Sequence, residues 1–393
     1  MDKEMLLKRA EELQEKAIQS RRALHEIAEV GYDLERTVAF IKSELRALGL
    51  SPKGIGRCGV IADIGDGEEY ILLRADTDAL PIPERSGLPF CAKNGNMHAC
   101  GHDMHAAMLL LAAELILESK SPLPCRIRLM FQGAEEILGG ALDMLKSGLF
   151  DGGAPRAALM LHIISSPEIA PGIFAIPSGG IGAPAAAFFD IEIYGRGAHG
   201  ATPELGIDAI SAAAHAVLAI EGVMRKEAES DSKSVVSVGS ISGGTAHNAI
   251  AEIAQIRGTV RSYSEADTER LIERVFEAAR EAAEERGAEV KGSISASCPT
   301  LLNDEKLSES ILKFTSELFP DGFFAVPKGK RGGGSEDFSY ISHRSPSLMI
   351  ALSAYKNGAL HNAEAIFDEG VLWRGGALLA YSAIRLSHSG ATD

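Results

Sequence analysis

Between His98 and His105, eight residues supply three imidazoles, a thiol and a carboxylate: His98, Cys100, His102, Asp103 and His105. Those are the side chains that zinc, manganese, nickel and cobalt prefer. Two acidic doublets accompany them, Asp76 and Asp78 in Arg74-Ala75-Asp76-Thr77-Asp78, and Glu135 and Glu136 in Gln132-Gly133-Ala134-Glu135-Glu136. Adjacent glutamates aimed into one apolar site repel unless a cation or a proton intervenes. One of them can bind a metal while the other keeps a proton-accepting oxygen beside the activated water. Asp78 also suits a plain turn-capping role, Asp76 less so. A further histidine, His162, ends the apolar run Ala157-Ala158-Leu159-Met160-Leu161. Together these residues point to metal-assisted hydrolysis.

The elements that must position them are legible from periodicity. Helical spacing runs over 4–28 and 34–48, the second stopping at Gly49. Residues 59–64 and 70–75 read as strands joined by Gly65-Asp66-Gly67, which predicts a hairpin. The run from Ala106 to Ala113 predicts a buried helix with Asp103 near its start, leaving Cys100 and His102 in the loop that enters it. Residues 126–131 and 157–162 are further strands. Strands alternating with helices, each strand ending in a candidate ligand, predict an α/β fold with a mainly parallel sheet. After the glycine-rich stretch 178–184 the pattern changes. Strands at 188–194, 234–241, 251–260 and 289–295, with helices at 208–225 and 266–286, predict a smaller α+β sandwich inserted into the first domain. His199 lies on its glycine-rich loop, and Asn248 and Arg257 are further polar candidates there. A helix at 307–318, a strand at 347–352, a loop holding His361 and a helix at 369–386 complete the chain. The expected division is a catalytic domain of 1–185 plus 298–393, with 186–297 as a lid and dimerisation domain.

A chain of 393 residues exceeds a single core, in accord with two domains. Its net charge of −15 speaks against nucleic acid or an anionic membrane as a partner. Five cysteines with no CxxC pair predict a reducing compartment. With no leader-like or membrane-spanning run in the sequence, the expected location is the cytoplasm.

Four segments carry a family resemblance: Arg-Ala-Asp-Thr-Asp-Ala-Leu-Pro (74–81), His-Ala-Cys-Gly-His-Asp-Met-His (98–105), Phe-Gln-Gly-Ala-Glu-Glu (131–136) and Gly-Ser-Glu-Asp-Phe (334–338). In this order and spacing they resemble the amidohydrolase subfamily of the M20 metallopeptidases, which includes aminoacylases, hippurate hydrolases, auxin-conjugate hydrolases and N-acetyldiaminopimelate deacetylases. The resemblance implies two divalent metal ions held by Cys100, His102, Glu136, His162 and His361. It makes Glu135 the general base and acid, with Asp76 as its partner behind the metal. It implies that His199 reaches the active site of a neighbouring subunit in a homodimer, and that Asn248 and Arg257 hold the substrate carboxylate. The implied substrate is an N-acyl amino acid. A dipeptidase or carboxypeptidase on the same metal site is the alternative, a metal-binding protein without catalysis a third reading, and a Cys100 nucleophile beside His102 the alternative chemistry. The chain departs from the family pattern at Gly133, where proline is common, and in the residues after His162 and His361. Those departures bear on the shape of the substrate pocket.

Overall fold

A computed structural model describes residues 2–120, 122–228, 233–329 and 333–388. The chain forms two compact units, 1–182 with 302–330 and 337–393, and 183–301 with 331–336. In the first, helices α1 (Lys3–Glu12), α2 (Gln14–Ile27) and α3 (Glu35–Ala47) precede strands β1 (Lys53–Ile55), β2 (Gly59–Ile64) and β3 (Tyr70–Asp76). Then follow α4 (His102–Ser119), β4 (Arg126–Gln132), α5 (Gly140–Lys146), β5 (Ala157–Ile164) and β6 (Phe174–Pro177). An eight-stranded mixed sheet has the order β1, β2, β4, β3, β5, Ser347–Ser353, β6, Phe323–Val326. Its centre, from β4 through β3 and β5 to Ser347–Ser353, is parallel.

Three local expectations are corrected, the last at the start of α4. The strands β2 and β3 do not form a hairpin: β4 lies between them, antiparallel to β2 and parallel to β3. Every residue of β3 is buried, and a strand covered on both faces is a central parallel strand with a partner on each edge. The helical pattern over 4–28 is broken at Leu13, because α1 packs against the C-terminal helix Leu372–His388 and α2 against α4.

Helix α4 is the centre of this unit. Nearly all of its 18 residues are buried, so it has no polar face. His102 is its first residue and not part of the preceding loop, because Gly101 turns the chain at φ +85°. A Cβ there would collide with Ile163.

The second unit is a four-stranded antiparallel sheet in the order Val235–Gly243, Ile253–Ser262, Ala185–Tyr194, Glu289–Cys298. Alternate residues Phe189, Ile191 and Ile193 meet Ala254, Ile256 and apolar residues of helices Ala209–Ala228 and Glu265–Glu284 in a separate core. Among the described residues no helix is long and apolar enough to cross a membrane.

Leu109, fully buried in α4, tests the central core. Leu109→Ala is expected to cost about 3 kcal/mol, read as a lowered denaturation midpoint at unchanged m-value.

Candidate metal centre

The carboxyl ends of parallel strands are where open α/β sheets assemble their sites. Here β3 delivers Asp76 and Asp78, β4 leads into the loop bearing Glu135 and Glu136, and β5 carries His162. The N-terminus of α4 brings Cys100 and His102. The loop between Tyr355–Asn357 and Ile366–Phe367 brings His361.

The five predicted ligands form a connected chain of contacts. Cys100 Sγ lies 3.6 Å from His162 Nε2 and 3.3 Å from His361 Nε2. Glu136 Oε1 lies 3.6 Å from His361 Nε2 and 3.8 Å from His102 Nε2. The partners of the ring nitrogens set the tautomers. His102 Nδ1–H donates to Asp78 O at 2.9 Å, and His162 Nδ1–H donates to Ile163 O at 2.6 Å. Both rings therefore aim Nε2 inward, the arrangement that carbonyl acceptors impose on metal-binding histidines.

His102 Nε2 and Glu136 Oε1 are buried without a hydrogen-bond partner. Polar atoms buried in that state are expensive, and a shared cation satisfies both. Burial, joined by the charges of Asp78 and Asp76, pushes the Glu136 carboxyl up to about 7. Burial also pushes the Cys100 thiol up. A thiol, three imidazoles and a carboxylate thus suit a borderline divalent metal.

Asp76, His102, His105 and His162 form an overlapping group, each offering an atom within 4.8 Å of the others. His105 cannot bind with either nitrogen as placed. Its Nε2 accepts the Ile163 N–H at 2.8 Å, and its Nδ1–H donates to Asp76 Oδ1 at 2.5 Å. Asp76 Oδ2 accepts from Arg74 at 2.7 Å and lies 3.7 Å from His102 Nε2.

Asp78, which from sequence suits either a site carboxylate or a turn cap, grips the glutamate loop. Its carboxylate accepts the N–H groups of Glu135 at 3.1 Å and Glu136 at 3.2 Å. Ala134 at φ +57° and Leu138 at φ +54° bracket those glutamates, and His361 has φ +64°. Left-handed backbone at non-glycine residues costs on the order of 1–3 kcal/mol each and gathers at functional sites. The signal for Asp78 was the spacing Asp-Thr-Asp at a strand end.

The family model described as peptidase family M20/M25/M40 matches residues 72–385. The chain belongs to that family. It is 32% identical to an N-acetyl-L-cysteine deacetylase of Bacillus subtilis over 96% of this chain and 89% of the relative. It is equally identical to a thermostable carboxypeptidase of Saccharolobus solfataricus, over 96% of this chain and 97% of that one. Deacetylases of N-acetylated amino acids recur among the relatives. A Bacillus subtilis structure described as a dinuclear metal binding peptidase of the M20 family superposes with a TM-score of 0.75 at 28% identity, covering 95% of this chain and 98% of that one.

In this M20 chain the second unit carries the remaining candidates. His199 pairs with Ala249 in a two-stranded ribbon, and Gly200 N–H donates to Asn248 O at 2.7 Å, so His199 and Asn248 are neighbours. His199 Nδ1 accepts the Ala201 N–H at 3.0 Å, which leaves Nε2 as the protonated nitrogen of an exposed ring. Arg257 sits apart on Ile253–Ser262, paired with Asp190 at 3.1 Å.

A second buried network lies behind the metal centre. Asp103 does not cap α4; it pairs with Arg21 at 2.6 Å and with His25 Nδ1 at 2.8 Å. His25 Nε2 reaches Glu84 at 3.1 Å. Glu84 in turn accepts from Ser86 and from the Ala92 N–H. The next residue, Arg85, donates its N–H to Ala363 O at 2.7 Å, two residues beyond His361. Burial opposes charge on His25, but Asp103 and Glu84 outweigh it and raise its pKa. Burial would raise Glu84, yet the hydrogen bonds from His25 and Ser86 bring it down to about 2. A folded-state pKa below the unfolded value of 4.5 means stability that is complete above pH 4.5 and is lost as pH falls toward about 2. Glu84→Gln is expected to flatten that part of the acid unfolding curve relative to the parent protein, measured as the midpoint of denaturant unfolding at each pH.

Proposed function

We propose that this M20 chain is a metal-dependent amidohydrolase that cleaves the amide bond of small N-acyl amino acids. The observation that carries the reading is the division of labour on one turn. Among the described residues, ligand groups that include His102 contain Glu136 and not Glu135, which leaves Glu135 for proton transfer. The recurrence of N-acetyl amino acid deacetylases among the relatives supports the substrate class over unblocked peptides.

Cys100, His102, Glu136, His162 and His361 would hold two divalent ions, zinc, manganese, nickel or cobalt. When bound, such ions lower the pKa of a water molecule and polarise the acyl carbonyl. Glu135 accepts the proton from the attacking water and delivers it to the departing amine nitrogen. Asp76, held by Arg74 and His105, faces His102 Nε2 at 3.7 Å and serves as the partner of Glu135 near the metal. The Nε2–H of His199 donates to the oxyanion, a contribution of about 3 kcal/mol for one well-placed donor. We assign that histidine to a second copy of the chain in a homodimer assembled through the second unit. Asn248 and Arg257 receive the substrate carboxylate, Arg257 by exchanging Asp190 for it. Cys100 acts as a thiolate ligand and not as a nucleophile. Among the described residues no cysteine is in a disulfide, which supports a reducing, cytoplasmic setting.

Purified protein reconstituted with each metal is expected to hydrolyse N-acetyl amino acids faster than unblocked dipeptides. Glu135→Gln should lower kcat by about 100-fold or more while retaining bound metal. Faster turnover of dipeptides would transfer the assignment to the peptidase alternative. A metal-free protein that still forms a covalent acyl adduct at Cys100, seen by mass spectrometry, would make that cysteine the nucleophile.

Mixing two inactive variants tests the shared site. If His199 serves the neighbouring subunit, randomly re-paired His199→Ala and Glu135→Gln chains regain about a quarter of the activity, since half the dimers are mixed and one site in each is complete. No recovery after confirmed exchange would place His199 in its own subunit's chemistry or outside it.

A further inference from the structure

The loop between β4 and α5, residues 133–139, carries both glutamates of the proposed mechanism. Its two ends meet. Gly140 lies so close to Gly133 O that a Cβ there would collide with it, and the N–H groups of Gly139 and Gly140 both donate to Ala134 O at 3.1 Å. One distant side chain grips both ends of this neck. Asp337 Oδ1 accepts from the side-chain amide of Gln132, the last residue of β4, at 2.7 Å. Asp337 Oδ2 accepts the N–H of Ala141, in the first turn of α5, at 2.9 Å. Arg74 neutralises the carboxylate at 3.2 Å, and the same guanidinium donates to Gln132 Oε1 at 3.1 Å and to Asp76 at 2.7 Å. Arg74, Gln132 and Asp337 are all fully buried. An oxygen of Asp337 also lies within 4.8 Å of one of Glu135.

We propose that Asp337 is a positioning residue for the catalytic turn: by bridging Gln132 and Ala141 it closes the neck of the loop. Asp78 holds the middle of that loop, and the two together fix where Glu135 and Glu136 point. Through Arg74 the clamp is continuous with Asp76, so the base, one metal ligand and the Asp76 carboxylate share one rigid mount. This rests on the reading of Glu135 as base and Glu136 as ligand. Its geometry explains why a residue more than 190 positions downstream of β4 belongs to the site. An asparagine at 337 would turn an NH2 toward donors that need an acceptor, since each oxygen of the present carboxylate receives at least one N–H.

The test compares Asp337→Asn, the gentler Gln132→Met and the reference Glu135→Gln. Readouts are kcat and KM on the best N-acyl substrate, the metal dissociation constant by chelator competition, circular dichroism and thermal midpoint. Asp337→Asn is expected to keep the fold, to lower kcat by about 10- to 100-fold with KM changed less than twofold, and to weaken metal binding about tenfold through Glu136. Gln132→Met is expected to shift the same quantities in the same direction by less. Asp63→Asn, which breaks an ion pair with Arg128 elsewhere in the unit, is the stability control. A folded Asp337→Asn protein with parental kcat and metal affinity overturns the proposal. So does a loss matched by Asp63→Asn at equal thermal midpoint. Should Asp337→Asn fail to fold, Gln132→Met decides by the same criteria. Retained activity in Glu135→Gln would refute the assignment of the base alone, because metal affinity still reports the clamp through Glu136.

Discussion

The constraint on which this structure depends is the burial of acid. Asp76, Asp78, Asp103, Glu135 and Asp337 are all 6% exposed or less, in a unit whose centre is an apolar helix and a parallel sheet. A carboxylate in such surroundings must find a cation, several N–H donors, or a proton. Asp103 takes Arg21 and His25; Asp76 takes Arg74 and His105; Asp78 takes two backbone N–H groups; Asp337 takes Arg74, Gln132 and a helix N-terminus. Among the described residues Glu136 Oε1 is buried without such a donor, as is Asp103 Oδ1, and Glu136 Oε1 faces the imidazole nitrogens of His102 and His361. The site is thus defined by what the protein's own donors do not satisfy.

Arg74 makes this arrangement rigid. A guanidinium does not shed its proton at any accessible pH, so its buried fork must be filled, and each filled prong fixes a neighbour. Replacing buried ion networks by apolar groups is often neutral for stability, whereas removing one partner is costly. Such a network is therefore best understood as a device for position. Here it joins the end of β3, the end of β4 and the segment that begins at Asp337, three parts of the chain with no local reason to meet.

That distinction explains which features could be read from the sequence. Residue types and spacing singled out most of the candidate donors that the structure brings together, because His98-Ala-Cys-Gly-His-Asp-Met-His and Ala-Glu-Glu are local and chemically dense. They also disclosed the inserted α+β unit, whose strands and helices keep clean periodicities. The order of β2, β4 and β3 was hidden, since pairing partners are chosen by burial on both faces of β3 and not by the turn that follows β2. The parts played by Asp78, Glu84 and Asp337 were hidden for the same reason: each acts on a backbone or side-chain group 57 to 205 residues away. An aspartate that caps its own turn and one that caps a distant loop look alike in one dimension.

Exposure across the ligand set adds a last step. His102 is fully buried, the Glu136 side chain is 11% exposed, and the His361 side chain is 52% exposed. The inner ligands belong to the strand ends and the first turn of α4, where packing fixes them. His361 sits on a loop held chiefly through backbone groups, its own N–H to Ala99 O and Ala363 O to Arg85. Its Nε2 meets Cys100 Sγ at 3.3 Å and Glu136 Oε1 at 3.6 Å, whereas the more deeply buried His102 and His162 also have their rings fixed by Nδ1–H bonds to carbonyls. The centre is consequently graded from a buried floor at His102 to an exposed rim at His361.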